Sequence, residues 1–261
     1  MQKKKTRKAR MAKSTKMVPF TTSTNLVVTE RVEVLPDWVE VGDTSGIEQL
    51  DPNYHVKPPV IKLAQKTSPE LAETNPKFIK GLEFGDLFNS ITGEIYGRGP
   101  LYFSVIRTQK PRAMEFIPME QGGGVKDRDV PLDDPRLLWD DVAPGGHPIA
   151  TLILDFVVLL WPTRERACLS FKSSGIKAAE SLGGKMVSRK HPKDGVSPVP
   201  AYLGRYTLES KVEPSKKGGE YAIYKIDNDA FLNEDDSKYS KYQHDLLKDQ
   251  TVTVEVEGDD L

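Results

Sequence analysis

The run from Ala150 to Trp161 constrains this chain most: Leu152-Ile153-Leu154 and Phe156-Val157-Val158-Leu159-Leu160 are interrupted only by Asp155. A membrane-spanning helix takes about 20 apolar residues, so this run is too short and carries a carboxylate at its middle. Unbroken rather than alternating hydrophobicity predicts a strand buried on both faces, at the centre of a sheet. Ala167 to Phe171, after the turn at Trp161-Pro162-Thr163-Arg164, is its expected partner.

More strands flank this pair. Pro59 to Pro118 reads as three or four, including Val60 to Gln65, Leu101 to Ile106 and Met114 to Ile117, with turns at Gly85, Gly93, Gly97, Gly99 and Pro111. Tyr202 to Lys211 and Tyr221 to Ile226 form a hairpin with a basic tip. Its alternation puts Tyr206 and Leu208 on one face, Arg205 and Lys211 on the other. Helices are few. Ser68-Pro69-Glu70 has the look of a helix start. Ser173 to Leu182 carries Ile176, Ala179 and Leu182 on one stripe, with Gly183-Gly184 expected to stop it. Phe231 to Leu247 is weakly helical, without a firm apolar stripe. The fold class is mainly β with minor α, a curled antiparallel sheet with an inserted helix.

Charge divides the chain. Residues 1–16 hold eight Lys or Arg and no acid, a block that repels itself and cannot build a core. Residues 1–25 are therefore a disordered basic arm, either a solubilising tail or a phosphate-binding one. Residues 26–56 are an adaptor, 57–247 the β domain with its C-terminal helix, and 248–261 an acidic tail. The basic start has no apolar segment behind it, so no secretory signal is expected. No membrane anchor is visible, and the lone Cys168 fits a reducing compartment, the cytoplasm.

Enzymatic chemistry finds little support. Gln121-Gly122-Gly123-Gly124-Val125-Lys126 lacks the Gly-Lys-Ser/Thr ending of a phosphate loop. The aspartates between Asp127 and Asp141 sit among prolines and glycines, where a solvated insertion outweighs a magnesium site. His55 has no second ligand at metal-binding spacing, and Cys168 has no nearby His. No metal and no cofactor is expected.

Basic bends interleaved with aromatics on a twisted sheet suit single-stranded nucleic acid, whose bases stack on aromatic faces at about 1–3 kcal/mol each while cations follow the phosphates. The candidate stackers are Tyr102, Phe171, Tyr206 and Tyr224. The candidate phosphate contacts are Arg107, Lys110, Arg112, Lys172, Lys177, Arg205 and Lys211. An aromatic on a strand is more often core than platform. The acidic end Asp259-Asp260-Leu261 can compete for a cationic groove or recruit basic partners.

The succession Ile61-Lys62-Leu63-Ala64-Gln65, Ser68-Pro69-Glu70, Gly85-Asp86-Leu87-Phe88 and Thr92-Gly93-Glu94, followed by the Leu152 to Leu160 strand and the Ser173 to Leu182 helix, resembles a tailed-bacteriophage single-stranded DNA-binding protein family. The resemblance covers roughly Val60 to Ile226. It implies an oligonucleotide-binding (OB)-like β-barrel, no catalysis, and coating of single-stranded DNA alongside phage or host replication and recombination proteins. A homodimer is compatible with it. Relatives with longer acidic tails end in an aromatic residue, whereas this chain ends in Leu261. The alternative is a virion or protein-interaction protein with a DNA-contacting basic arm.

Overall fold

The computed structural model describes residues 58–118, 121, 123–138, 142–143, 147–215 and 218–248. The expected arm, adaptor and acidic tail, with Asp259, Asp260 and Leu261, lie outside the described residues. The strands in chain order are β1 Val60–Leu63, β2 Leu87–Asn89, β3 Ile95–Gly97, β4 Leu101–Thr108, β5 Arg112–Phe116, β6 Val125–Val130, β7 Val142–Ala143, β8 His147–Pro148, β9 Ala150–Trp161 and β10 Arg166–Lys172. Helix α1 Ile176–Ser188 follows, then β11 Gly204–Pro214, β12 Glu220–Phe231 and helix α2 Glu234–Leu247.

The protein is mainly β. Eight strands make a curled half-barrel in the order β12-β11-β4-β9-β10-β1-β2-β3, and the β5–β6 hairpin joins it through β9. All described pairings are antiparallel except β1 with β10, where Val60 lies opposite Cys168. Strand β9 is central, as its apolar run requires. It pairs with β10 from Ile153 to Leu159, while its other edge serves β5 at the start and β4 towards the end.

Burial of β9 on both faces has a simple cause: a helix covers each. Phe156, Val158 and Leu160 join Phe103, Phe171, Tyr206 and Leu208 in the main core, which Ala178, Ala179 and Leu182 of α1 cap. Val157, Leu159 and Trp161 face the opposite way, onto Ile106, Cys168 and Leu247 of α2. At about 1.5–3 kcal/mol for each large apolar side chain removed from water, this one strand contributes heavily to the core. Burial also pushes the Cys168 thiol up to about 12, with the nearby Asp155 charge adding to it.

Both helices differ from their sequence expectations. α1 runs through Gly183 and Gly184 to Ser188, because Met186 beyond them still packs against the core. Packing of that kind outweighs roughly 1 kcal/mol of propensity per glycine. α2 is capped by Asn233, whose side chain accepts from the Asp236 amide at 2.8 Å, and carries Glu234, Asp235 and Asp236 in its first turn. These acids complement the helix dipole. Its buried stripe is Ser240, Gln243 and Leu247, with the Ser240 hydroxyl donating to the Tyr202 carbonyl at 2.8 Å. Two of those three residues are polar, so hydrophobic spacing could not reveal the stripe.

The acidic segment after β5 is built rather than loose. Buried Glu115 accepts from Lys126 and, at 2.7 Å, from Arg136, which also pairs with Asp127 at 3.1 Å and Asp134 at 2.9 Å. Among the described residues, no three His, Cys, Asp or Glu side chains gather as metal ligands.

Candidate nucleic-acid interface

The structure places most of the candidate residues in three groups. Phe171 and Tyr206 are fully buried and drop out as stacking platforms. Phe171 packs edge-on against Phe156 and Tyr224, with centroids 5.7 and 5.2 Å away, and Tyr206 lies 5.6 Å from Phe103. Their strands turn these faces inward, the commoner fate of a strand aromatic. Burial also raises the Tyr206 hydroxyl pKa, opposed by the Arg189 guanidinium stacked 4.7 Å from its ring.

The second group consists of cations committed to the fold. Arg107 donates to the Leu247 carbonyl and ties down the end of α2. Arg112 pairs with Asp155 at 2.8 Å, and that carboxylate is almost wholly buried. The bend between β4 and β5 therefore leaves Lys110 as its exposed cation. Arg205 pairs with Asp229 and stacks 5.3 Å from the Tyr102 ring. Lys211 is exposed and pairs with Glu213 at 3.0 Å.

Tyr102, 37% exposed, opens into a cavity of about 730 Å³ at the start of α2. That cavity is a poor phosphate site. Arg164 and Arg205 face Glu234, Asp235 and Asp236, leaving an acidic excess, and Arg164 is already paired with Asp236 at 2.8 Å.

The third group meets at a groove of about 600 Å³, where Tyr224 and Lys172 lie along the seam between β1–β2 and the outer edge of β12. The sequence reading missed Lys62, Lys77 and Phe78, which line the same groove. Three lysines stand against one carboxylate, Glu70, which lies 3.5 Å from Lys62. Phe78 is 36% exposed, and the hydroxyls of Ser90, Thr92, Ser170 and Ser173 add neutral polar lining. Apolar walls, a cationic excess and a few placed polar groups are what a ligand groove requires. Lys62 and Lys77 are more than a hundred residues before Tyr224, so only the curl of the sheet brings them together. Lys177 is exposed on α1, whose leading turn Ser173–Gly175 borders the groove.

The profile of the Pam3 phage gp34-like protein family matches residues 28–253, nearly the whole chain. The chain belongs to this family. No curated protein and no solved structure matches it. Membership of the Pam3 phage gp34-like family places the chain among phage proteins, as the resemblance implied. Among the described residues no helix is long and apolar enough to cross a membrane.

Proposed function

We propose that this phage protein binds single-stranded DNA without catalysis, using the seam groove of an OB-type half-barrel and acting beside phage or host replication and recombination proteins in the host cytoplasm. The observation that carries the reading is the convergence of Lys62, Lys77 and Lys172 with Tyr224 and Phe78 in one groove. Cations neutralise phosphates and release counterions, while the exposed Phe78 ring and the half-buried Tyr224 ring offer stacking surface to unpaired bases.

Fluorescence anisotropy of the full chain with labelled oligothymidine and a matched duplex, over a salt series, tests this. Single-strand preference with a steep salt slope is the expected result. Equal, weak binding to both would sink the groove and leave only electrostatic attraction to the basic residues 1–16.

A second reading, a virion or protein-interaction role, is favoured by one observation. Leu132 and Leu138, 54% and 56% exposed, flank the Arg136 network that braces the acidic segment. Charged substitutions there would abolish partner capture under that reading and leave DNA binding unchanged.

A further inference from the structure

The seam groove does not stop at Tyr224. Helix α1 leaves it and runs beside β12, as three contacts along its length establish. A side-chain carbon on Gly175 would lie 3.6 Å from the Tyr224 ring; Lys185 pairs with Asp227 at 3.5 Å; Arg189 donates to the Ala230 carbonyl at 2.7 Å and to the Arg205 carbonyl at 2.9 Å. Thirteen residues at about 1.5 Å each make α1 about 20 Å long. Tyr224 to Ala230 along β12 covers about the same distance at roughly 3.3 Å per residue.

At the far end stands a basic loop, Arg189-Lys190-His191-Pro192-Lys193. Arg189 anchors it, since its guanidinium also stacks on Tyr206 and Phe231 at 4.7 and 5.0 Å. The tip is fixed by Asp194, which accepts from the Ser197 hydroxyl and from the Val196 and Ser197 amides, each at 3.0 Å, and is held down to about 2 by those bonds. The His191 amide and carbonyl close the same turn against Ser197, Asp194 and Gly195. Lys190 and Lys193 project from it, exposed.

Between groove and loop, α1 has an oddity that packing does not explain. Gly183 and Gly184 sit inside the helix, yet no neighbouring atom lies within 4 Å of where a side chain would begin at either. A glycine pair that costs helix stability without making room for a protein neighbour leaves bare backbone for something else to approach.

Building on the single-strand reading of the groove, we propose that the bound strand continues from Tyr224 over the Gly183–Gly184 surface of α1 to the loop, where Lys190 and Lys193 hold its phosphates. The acids along this path are Glu180, which is exposed, and Asp227, Asp229 and Asp194, each engaged by a neighbour. Lys177 on α1 offsets Glu180. Twenty ångströms corresponds to about six nucleotides at the stacked spacing of about 3.4 Å. An oligonucleotide confined to the groove cannot reach the loop, and a longer one can.

The test uses the full chain with oligothymidines of about four and about twelve nucleotides, short and long relative to this span. Lys190→Ala with Lys193→Ala should weaken the long oligonucleotide about tenfold, lower its salt slope by about 1.4, and leave the short one unchanged. Gly183→Ala with Gly184→Ala, which should raise the melting temperature and so report a folded protein, should also weaken only the long one. Equal effects on both lengths, or none on either, overturn the track while leaving the groove in place. If the unaltered chain binds neither length, the single-strand reading fails, and this one fails with it.

Discussion

The side-chain amide of Gln65 makes both hydrogen bonds of a β-bridge to the backbone of Ala222, 157 residues away. Its Nε2 donates to the Ala222 carbonyl at 2.8 Å, and the Ala222 amide donates to its Oε1 at 3.1 Å. Ala222 lies on the outer edge of β12, the terminal strand of the half-barrel, and Gln65 lies just past β1. One side chain thus stands in for a missing strand and latches the curl at one end of the groove. The adjacent Lys66–Glu220 pair, at 3.2 Å, is exposed on both sides and contributes little.

Gln65→Ala should therefore destabilise the protein by about 1–3 kcal/mol, because it strands a buried amide and carbonyl together. Amide exchange at Ala222 should accelerate more than at Leu208 in the neighbouring strand. Chemical denaturation and hydrogen exchange read the two effects. Unchanged protection at Ala222 would mean that the latch is not what holds this edge.

The groove and the β4–β5 bend make opposite predictions for charge removal. Lys77→Ala with Lys172→Ala should lower the salt slope of single-strand binding by about 1.4, at about 0.7 per phosphate, with the fold intact, while Lys62 is left in place on the buried Glu70. Arg112→Ala should instead cost about 3–5 kcal/mol, since it leaves the buried Asp155 carboxylate without its cation. Affinity and melting measured on the same variants separate these roles.

The fold was legible where hydrophobicity alone decides. β9 announced its place by an unbroken apolar run, and β11 by its alternation, which put Tyr206 and Leu208 on one face. The candidate interface was legible only in part, for two physical reasons. Inward and outward faces of a curled sheet carry the same aromatics, so Phe171 and Tyr206 looked like Tyr224 until burial distinguished them. Long-range pairing decides which cations are committed: nothing near Arg107 in sequence announces the Leu247 carbonyl, and nothing near Arg112 singles out Asp155. Lys62 and Lys77 were missed for the converse reason, since each is an ordinary surface lysine until the seam assembles around it.

Tyr206 offers a direct test of its reassignment from platform to core. Its hydroxyl is buried and has no hydrogen-bond partner among the described residues, and a side-chain carbon on Gly204 would come within 2.7 Å of it. Tyr206→Phe removes an unsatisfied polar group while keeping the ring, so it should be neutral or stabilising, by up to about 1 kcal/mol. Gly204→Ala should cost about 1–3 kcal/mol through overpacking. Neither should move single-strand affinity. A large affinity loss in Tyr206→Phe with unchanged melting would return this residue to the binding surface.

The acidic segment after β5 should impose a pH dependence on stability. Lys126, followed by Arg136, holds the Glu115 carboxyl below its ordinary value of 4.5, against the opposing effect of burial. A carboxylate whose pKa is lower folded than unfolded binds its proton more readily in the unfolded chain, so acid favours unfolding. The contribution from Glu115 is full above its ordinary value and is lost as pH falls from there through the folded one. Glu115→Gln should lower stability at neutral pH and flatten the curve in that acidic window, leaving the alkaline side parallel to the original. Urea midpoints collected across the acid range would reveal it. A variant whose curve stays parallel to the parent throughout would show that Arg136 braces the segment through Asp127 and Asp134 alone.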